Sequence, residues 1–81
     1  MFEKVTFNGK ELIESGHFKG ELYNIYKKNL DLVLEILKEG THTRESKDKI
    51  KVEKKTRKGT WELVYVETKN EIVLVHLKLR R

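Results

Sequence analysis

The spacing of apolar residues changes along this chain and divides it into three stretches. In the first, apolar positions flank Asn8-Gly9. Both central residues of a type I′ turn need positive φ, so this dipeptide predicts a β-hairpin with arms over Glu3 to Phe7 and Lys10 to Ile13. A competing reading makes Asn8 a helix cap with Glu11 three residues on, and Gly16 would then end that helix after about two turns. In the second stretch the period lengthens. Ser15 can cap a helix in which Phe18, Leu22, Ile25 and Tyr26 fall on one stripe, with Gly20 costing about 1 kcal/mol relative to Ala. Asn29 can cap another, with Leu30, Val33, Leu34 and Leu37 on its main face and Leu32 and Ile36 on the flanks, and Gly40 fits the left-handed position past its end. Only Lys27 to Asn29 separate the two, so they are expected to pack as a helical hairpin.

After a polar link from Thr41 to Asp48, the third stretch alternates with period two. Three strands are expected, Lys49 to Thr56, Thr60 to Thr68 and Glu71 to Leu79. A two-residue turn at Lys69-Asn70 sets Val66 against Val73 and Val64 against Val75. A three-residue loop, Arg57-Lys58-Gly59, sets Val52 against Val64 and keeps one side aliphatic. That side, with Ile50, Val52, Val64, Val66, Val73, Val75, Leu77 and Leu79, is the expected floor for the helices. The other side carries Lys51, Lys55, Arg57, Trp61, Leu63, Tyr65, Ile72, Leu74, His76, Lys78 and Arg80. The expected architecture is α+β in a single domain, residues 1–81, with an N-terminal β-hairpin, a helical hairpin and a three-stranded antiparallel β-meander.

Composition narrows the classes. Eighty-one residues, 38% charged and 37% hydrophobic, leave room for one small domain. No window approaches the roughly 20 apolar residues of a membrane span, and Glu3 and Lys4 stand where a secretory signal needs an apolar run, so a cytoplasmic setting without membrane contact is expected. The absence of Cys excludes disulfides, a thiolate nucleophile and thiolate-ligated zinc. Pro, Gln and Ala are also absent while Lys and Glu crowd the chain, the bias of a thermophile proteome or an AT-rich genome.

Charge is unevenly spread beneath the net +5. Residues 1–40 hold six basic and seven acidic side chains, and residues 41–81 hold twelve and six. Between Arg44 and Lys58, eight basic residues face three acidic ones. Such a stripe attracts phosphates by steering and counterion release, or serves as a solvated, Lys-rich strand edge that resists aggregation.

No glycine-rich phosphate loop and no nucleophile elbow is present. His17, His42 and His76 are too few and too scattered to resemble a zinc site, so no metal and no cofactor are expected. His76 stands mid-strand, where Leu or Val would be ordinary, on the face that holds Arg57, Tyr65, Lys78 and Arg80. Metal-independent RNA cleavage needs a base, an acid and cations around a pentavalent phosphate, and this set can supply them. Lys51 and Lys55 would meet flanking phosphates, and Trp61 offers a ring on which a base can stack. The same face could instead be a second small core under the amino-terminal hairpin or a dimer seam, with His76 as a half-buried hydrogen-bonding residue.

Ser15-Gly16-His17, the short apolar helix closing at Gly40, the basic strand and the terminal strand Ile72-Val73-Leu74-Val75-His76 together resemble the RelE/BrnT toxin superfamily, especially its small uncharacterised relatives. The resemblance implies a RelE-like fold with two helices on an antiparallel sheet. It matches His17 to the His that opens the first helix, and the terminal strand to one whose exposed face carries part of the toxin site. Where those relatives have Arg four and eight residues after that His, this chain has Glu21 and Ile25. The expected function is an RNA-binding RelE/BrnT-like domain with the residue inventory of a metal-independent endoribonuclease. The expected partners are RNA or other nucleic acid, a small acidic antitoxin-like protein and a second copy of the chain. The alternatives are a non-catalytic interaction or dimerisation module that uses Trp61, Leu63, Tyr65 and Leu74, and a nucleic-acid binder without turnover.

Overall fold

A computed structural model describes residues 5–81. In chain order the elements are β1 (Thr6–Phe7), β2 (Lys10–Glu14), a short helix α1 (Gly16–Lys19) that runs into a π-helical segment (Gly20–Ile25), α2 (Leu30–Glu39), β3 (Thr41–Arg44), β4 (Lys49–Thr56), β5 (Gly59–Glu67) and β6 (Glu71–Arg80). The strands form one six-stranded sheet in the order β1-β2-β6-β5-β4-β3. All neighbours are antiparallel except β2 and β6, which run parallel. The α+β class therefore stands. The three-stranded meander is corrected to part of a larger mixed sheet into which the first hairpin inserts β2.

Local chemistry explains the elements. Asn8 and Gly9 adopt φ of 54° and 78°, the left-handed pair that the hairpin turn demands; Glu3 and Lys4 of the predicted first arm lie outside the described residues. Ser15 Oγ accepts the Phe18 N–H at 3.1 Å, and Asn29 Oδ1 accepts the Asp31 N–H at 3.0 Å, so both expected caps form. After Lys19 the helix widens. The Tyr26 N–H donates to Glu21 O five residues back, and Lys28 N–H reaches Leu22 O across Lys27, which has φ of 54°. The wider turn carries Ile25 off the apolar stripe, leaving it 67% exposed while Phe18 and Leu22 are fully buried. Gly40 is extended, with φ −79° and ψ 168°, rather than left-handed. Glycine is needed there because an added Cβ would lie 2.6 Å from Ile36 O, against the helix end it follows.

Two further expectations are overturned. Residues 41–44 are not a loop but strand β3, paired with β4 and exposed at every position. Ile50, Val52 and Leu77 lie in the core as expected, but on β5 and the first half of β6 the faces are exchanged. Arg57 and Lys58 alone form the turn, so Thr56 pairs with Gly59, Val52 with Leu63 and Ile50 with Tyr65. A bulge in β6 then pairs Val64 with His76 and Tyr65 with Leu74, leaving Val75 as the extra residue. Consequently Ile50, Val52, Trp61, Leu63, Tyr65, Ile72, Leu74 and Leu77 face the helices, and with Phe18, Leu22, Val33, Ile36 and Leu37 they make the core. Larger Leu and aromatic side chains span the gap between sheet and helix better than the short valines, and their burial supplies more transfer free energy. Val64, Val66, Val73 and Ile13 occupy the other face among Lys49, Lys51, Glu53, Glu62 and Arg80.

Polar clamps tie the helical layer to the sheet. Lys54 reaches Glu35 at 2.6 Å and Glu39 at 3.5 Å on α2, and the Glu35 hydrogen bond holds its ammonium above the ordinary range. Tyr23 donates to Glu14 Oε1 at 2.8 Å, and burial together with that carboxylate pushes its phenol up to about 12. A raised phenol pKa means that the folded state keeps a proton which the unfolded chain gives up near pH 10. Stability from this contact is therefore present below pH 10 and is lost between about pH 10 and 12. Spectrophotometric titration should show a phenolate step near pH 12 that disappears in Tyr23→Phe; an unchanged titration in that variant would assign the step elsewhere.

Candidate nucleic-acid interface

At one end of the molecule, the π-helical segment, the start of α2 and the β4–β5 turn enclose an open cleft of about 510 Å³. Its floor is apolar. Tyr26 meets Trp61 edge-to-face, with ring centroids 5.1 Å apart and planes at 80°, and Leu32, Leu79 and the exposed Ile25 complete the lining. Its rim is cationic: Lys28 follows the left-handed turn at Lys27, Arg57 and Lys58 form the β4–β5 turn, and Arg81 follows β6. Among the described residues, no acidic side chain lines the cleft and none of these four cations enters an ion pair. The Tyr26 hydroxyl accepts the Leu79 N–H at 3.0 Å, which fixes the ring on the β6 edge.

The expected site residues do not gather at one point. Arg57 and Trp61 line the cleft, although Trp61 is only 7% exposed and offers an edge of the floor rather than an open stacking platform. Tyr65 is buried under α2, not exposed beside His76. Its hydroxyl lies 3.1 Å from His42 Nδ1, His42 Nε2 lies 2.8 Å from Leu37 O, and burial raises the phenol pKa. Arg80 is held by Glu53 and by Glu62 at 3.0 Å, so its guanidinium is already neutralised. Lys78 pairs across strands with Glu62, Lys51 with Val64 and Lys55 with Thr60, on the sheet face away from the helices. Lys28 and Arg81 were not among the sequence candidates, and Lys58 entered only as the end of the basic stretch. The three lie 30 and 23 positions apart in sequence, and only the fold brings them together.

His76 enters a separate constellation. It lies in the β6 bulge beyond the end of β2, where its Nδ1 is 3.1 Å from Glu21 Oε1. The same oxygen accepts the Leu77 N–H at 2.9 Å and lies 3.4 Å from His17 Nε2. The two imidazoles stack with centroids 5.8 Å apart and planes within 10°. His17 and Glu21 are four residues apart on one helical face, and the expectation that the histidines are too scattered to share a site is corrected for His17 and His76, which the β6 bulge brings together.

No family model, curated protein or solved structure matches the chain.

Proposed function

We propose that the chain binds single-stranded nucleic acid, with RNA as the leading candidate, in the cleft between the π-helical segment and the β4–β5 turn. The observation that carries this reading is a rim of four cations around an apolar, aromatic floor with no acidic side chain in the lining among the described residues. Lys28, Arg57, Lys58 and Arg81 would meet successive phosphates, while a base would lie against Ile25, Tyr26 and the edge of Trp61. The net +5 charge adds steering toward any polyanion. A helical layer on one face of a largely antiparallel sheet supports a RelE/BrnT-like arrangement, and the resemblance places nucleic acid among its expected partners. Binding without turnover fits the geometry better than metal-independent cleavage. Tyr65 is buried and paired with His42, Arg80 is paired with carboxylates, and His76 pairs with Glu21, so the proposed acid, base and cations do not converge.

Fluorescence anisotropy with a labelled single-stranded RNA tests the site. Arg57→Glu with Lys58→Glu should weaken binding by at least tenfold. It should also flatten the slope of log K against log salt by about 1.4, the value for two lost contacts on a single strand. Lys51→Glu with Lys55→Glu, on the other face, should change little. Equal losses from both pairs would show diffuse charge attraction rather than a site, and unchanged binding in the Arg57/Lys58 variant would remove the cleft from the interface. Incubation of wild-type protein with mixed-sequence RNA in EDTA should leave the RNA intact; products ending in a 2′,3′-cyclic phosphate that vanish in His76→Ala would restore the catalytic reading.

A further inference from the structure

The geometry points to a binding site for one divalent first-row transition-metal ion at His17, Glu21 and His76. His17 Nε2, Glu21 Oε1 and His76 Nδ1 all lie within 4.8 Å of one another. Their two contact distances, 3.1 and 3.4 Å, are close to the separation of about 3.3–3.6 Å between donor atoms that each sit 2.0–2.2 Å from a tetrahedral zinc ion. Each ligand is delivered by a distinct structural cause. The four-residue spacing aligns His17 with Glu21, the β6 bulge turns His76 toward them, and the Leu77 N–H anchors the carboxylate from the strand.

Both histidines now contact the carboxylate through the nitrogen that would bind a metal. Ligation requires only that each imidazole carry its proton on the other nitrogen, His17 Nδ1 and His76 Nε2, which make no hydrogen bonds among the described residues. Two imidazoles and one carboxylate suit Zn²⁺, Ni²⁺, Cu²⁺ or Fe²⁺ rather than Mg²⁺ or Ca²⁺, which prefer oxygen donors throughout. The site is open on one side. Side-chain exposure is 69% at His17 and 36% at His76 but 12% at Glu21, so a bound ion would keep a coordination position for water or another ligand. The ligands must be deprotonated to bind, so affinity should fall in acid. The site shares no residue with the cationic cleft, and its test is independent of nucleic-acid binding.

Untagged protein stripped with EDTA can be titrated with Zn²⁺ while imidazole resonances are followed by NMR. His17 and His76 should shift together and saturate at one equivalent, while His42 stays in place and Mg²⁺ has no effect. Substitution with Co²⁺ should give visible absorption bands of a bound ion. His17→Asn changes an exposed side chain and should leave melting of the metal-free protein unaltered. It should weaken Zn²⁺ by at least about tenfold, the lower bound seen even for partners one shell further out. Glu21→Gln keeps an acceptor for the Leu77 N–H and should weaken Zn²⁺ similarly. Saturation at two or more equivalents, shifts at His42 as large as those at His17, or wild-type affinity in both variants would overturn the site and leave a hydrogen-bonded His–Glu–His cluster.

Discussion

Leu37→Asp is expected to leave the chain without a cooperative unfolding transition. Leu37 lies on the buried face of α2 with Val33 and Ile36, packed against the sheet, and its surroundings in the core are apolar. The substitution forfeits about 2–3 kcal/mol of side-chain burial. It also places a carboxylate among apolar side chains, at a further cost of several kcal/mol. A domain of this size holds about 4–12 kcal/mol in all, so the two penalties consume most or all of it. Val33→Asp should behave in the same way. Lys38→Ala, one position along and exposed, should melt within about 0.5 kcal/mol of wild type. Far-UV circular dichroism against temperature reads all three, and a cooperative, near-wild-type melt for Leu37→Asp would show that α2 does not seat on the sheet as described.

Gly59→Ala should lower the melting temperature by about 10 °C or more, since a domain of this size loses some 4–8 °C for each kcal/mol. Gly59 follows the Arg57-Lys58 turn with φ of 142°, a conformation closed to side chains. A Cβ there would press into the Arg80 carbonyl, well inside van der Waals contact. Backbone strain and overpacking together should cost about 2–4 kcal/mol. Gly20→Ala has the opposite expectation. Its backbone is helical, a Cβ would meet open space, and alanine should stabilise by up to about 1 kcal/mol. Thermal melts of the two variants would refute the turn geometry if both moved in the same direction by similar amounts.

How far the sequence revealed the fold depended on whether one residue type could satisfy only one conformation. Asn8-Gly9 specified its hairpin because few dipeptides tolerate two positive φ angles, and Ser15 and Asn29 specified helix starts because their side chains reach backbone N–H groups. The sheet faces were ambiguous for the opposite reason. Trp61, Leu63 and Tyr65 alternate with Val64 and Val66, so either set could form the floor, and the choice rested on a single residue in the loop before Gly59. Thr41–Arg44 gave no alternation because both of its faces are exposed. The wide turn after Lys19 left no apolar signature either, which is why Ile25 read as core and proved to be a wall of the cleft. Of the candidate site, Arg57 and Trp61 were legible as a cation and a ring in a basic region. The company they keep, Lys28 and Arg81, comes from distant parts of the chain.

The parallel pairing of β2 with β6 also sets an order of events during folding. Glu11 pairs with Glu71 and Glu14 with Leu74, so this ladder joins positions sixty residues apart, whereas β3 to β6 are built from neighbouring hairpins. Local pairings form first because they close short loops at low entropic cost. An isolated two-stranded hairpin such as β1–β2 is marginal in water and must wait for an edge to join. β1 and β2 are therefore synthesised well before β6 and are among the last strands to be secured. Until β6 is in place, Glu21 has no Leu77 N–H to hold it and no His76 beside it, so the His–Glu–His cluster comes into being only as the sheet closes.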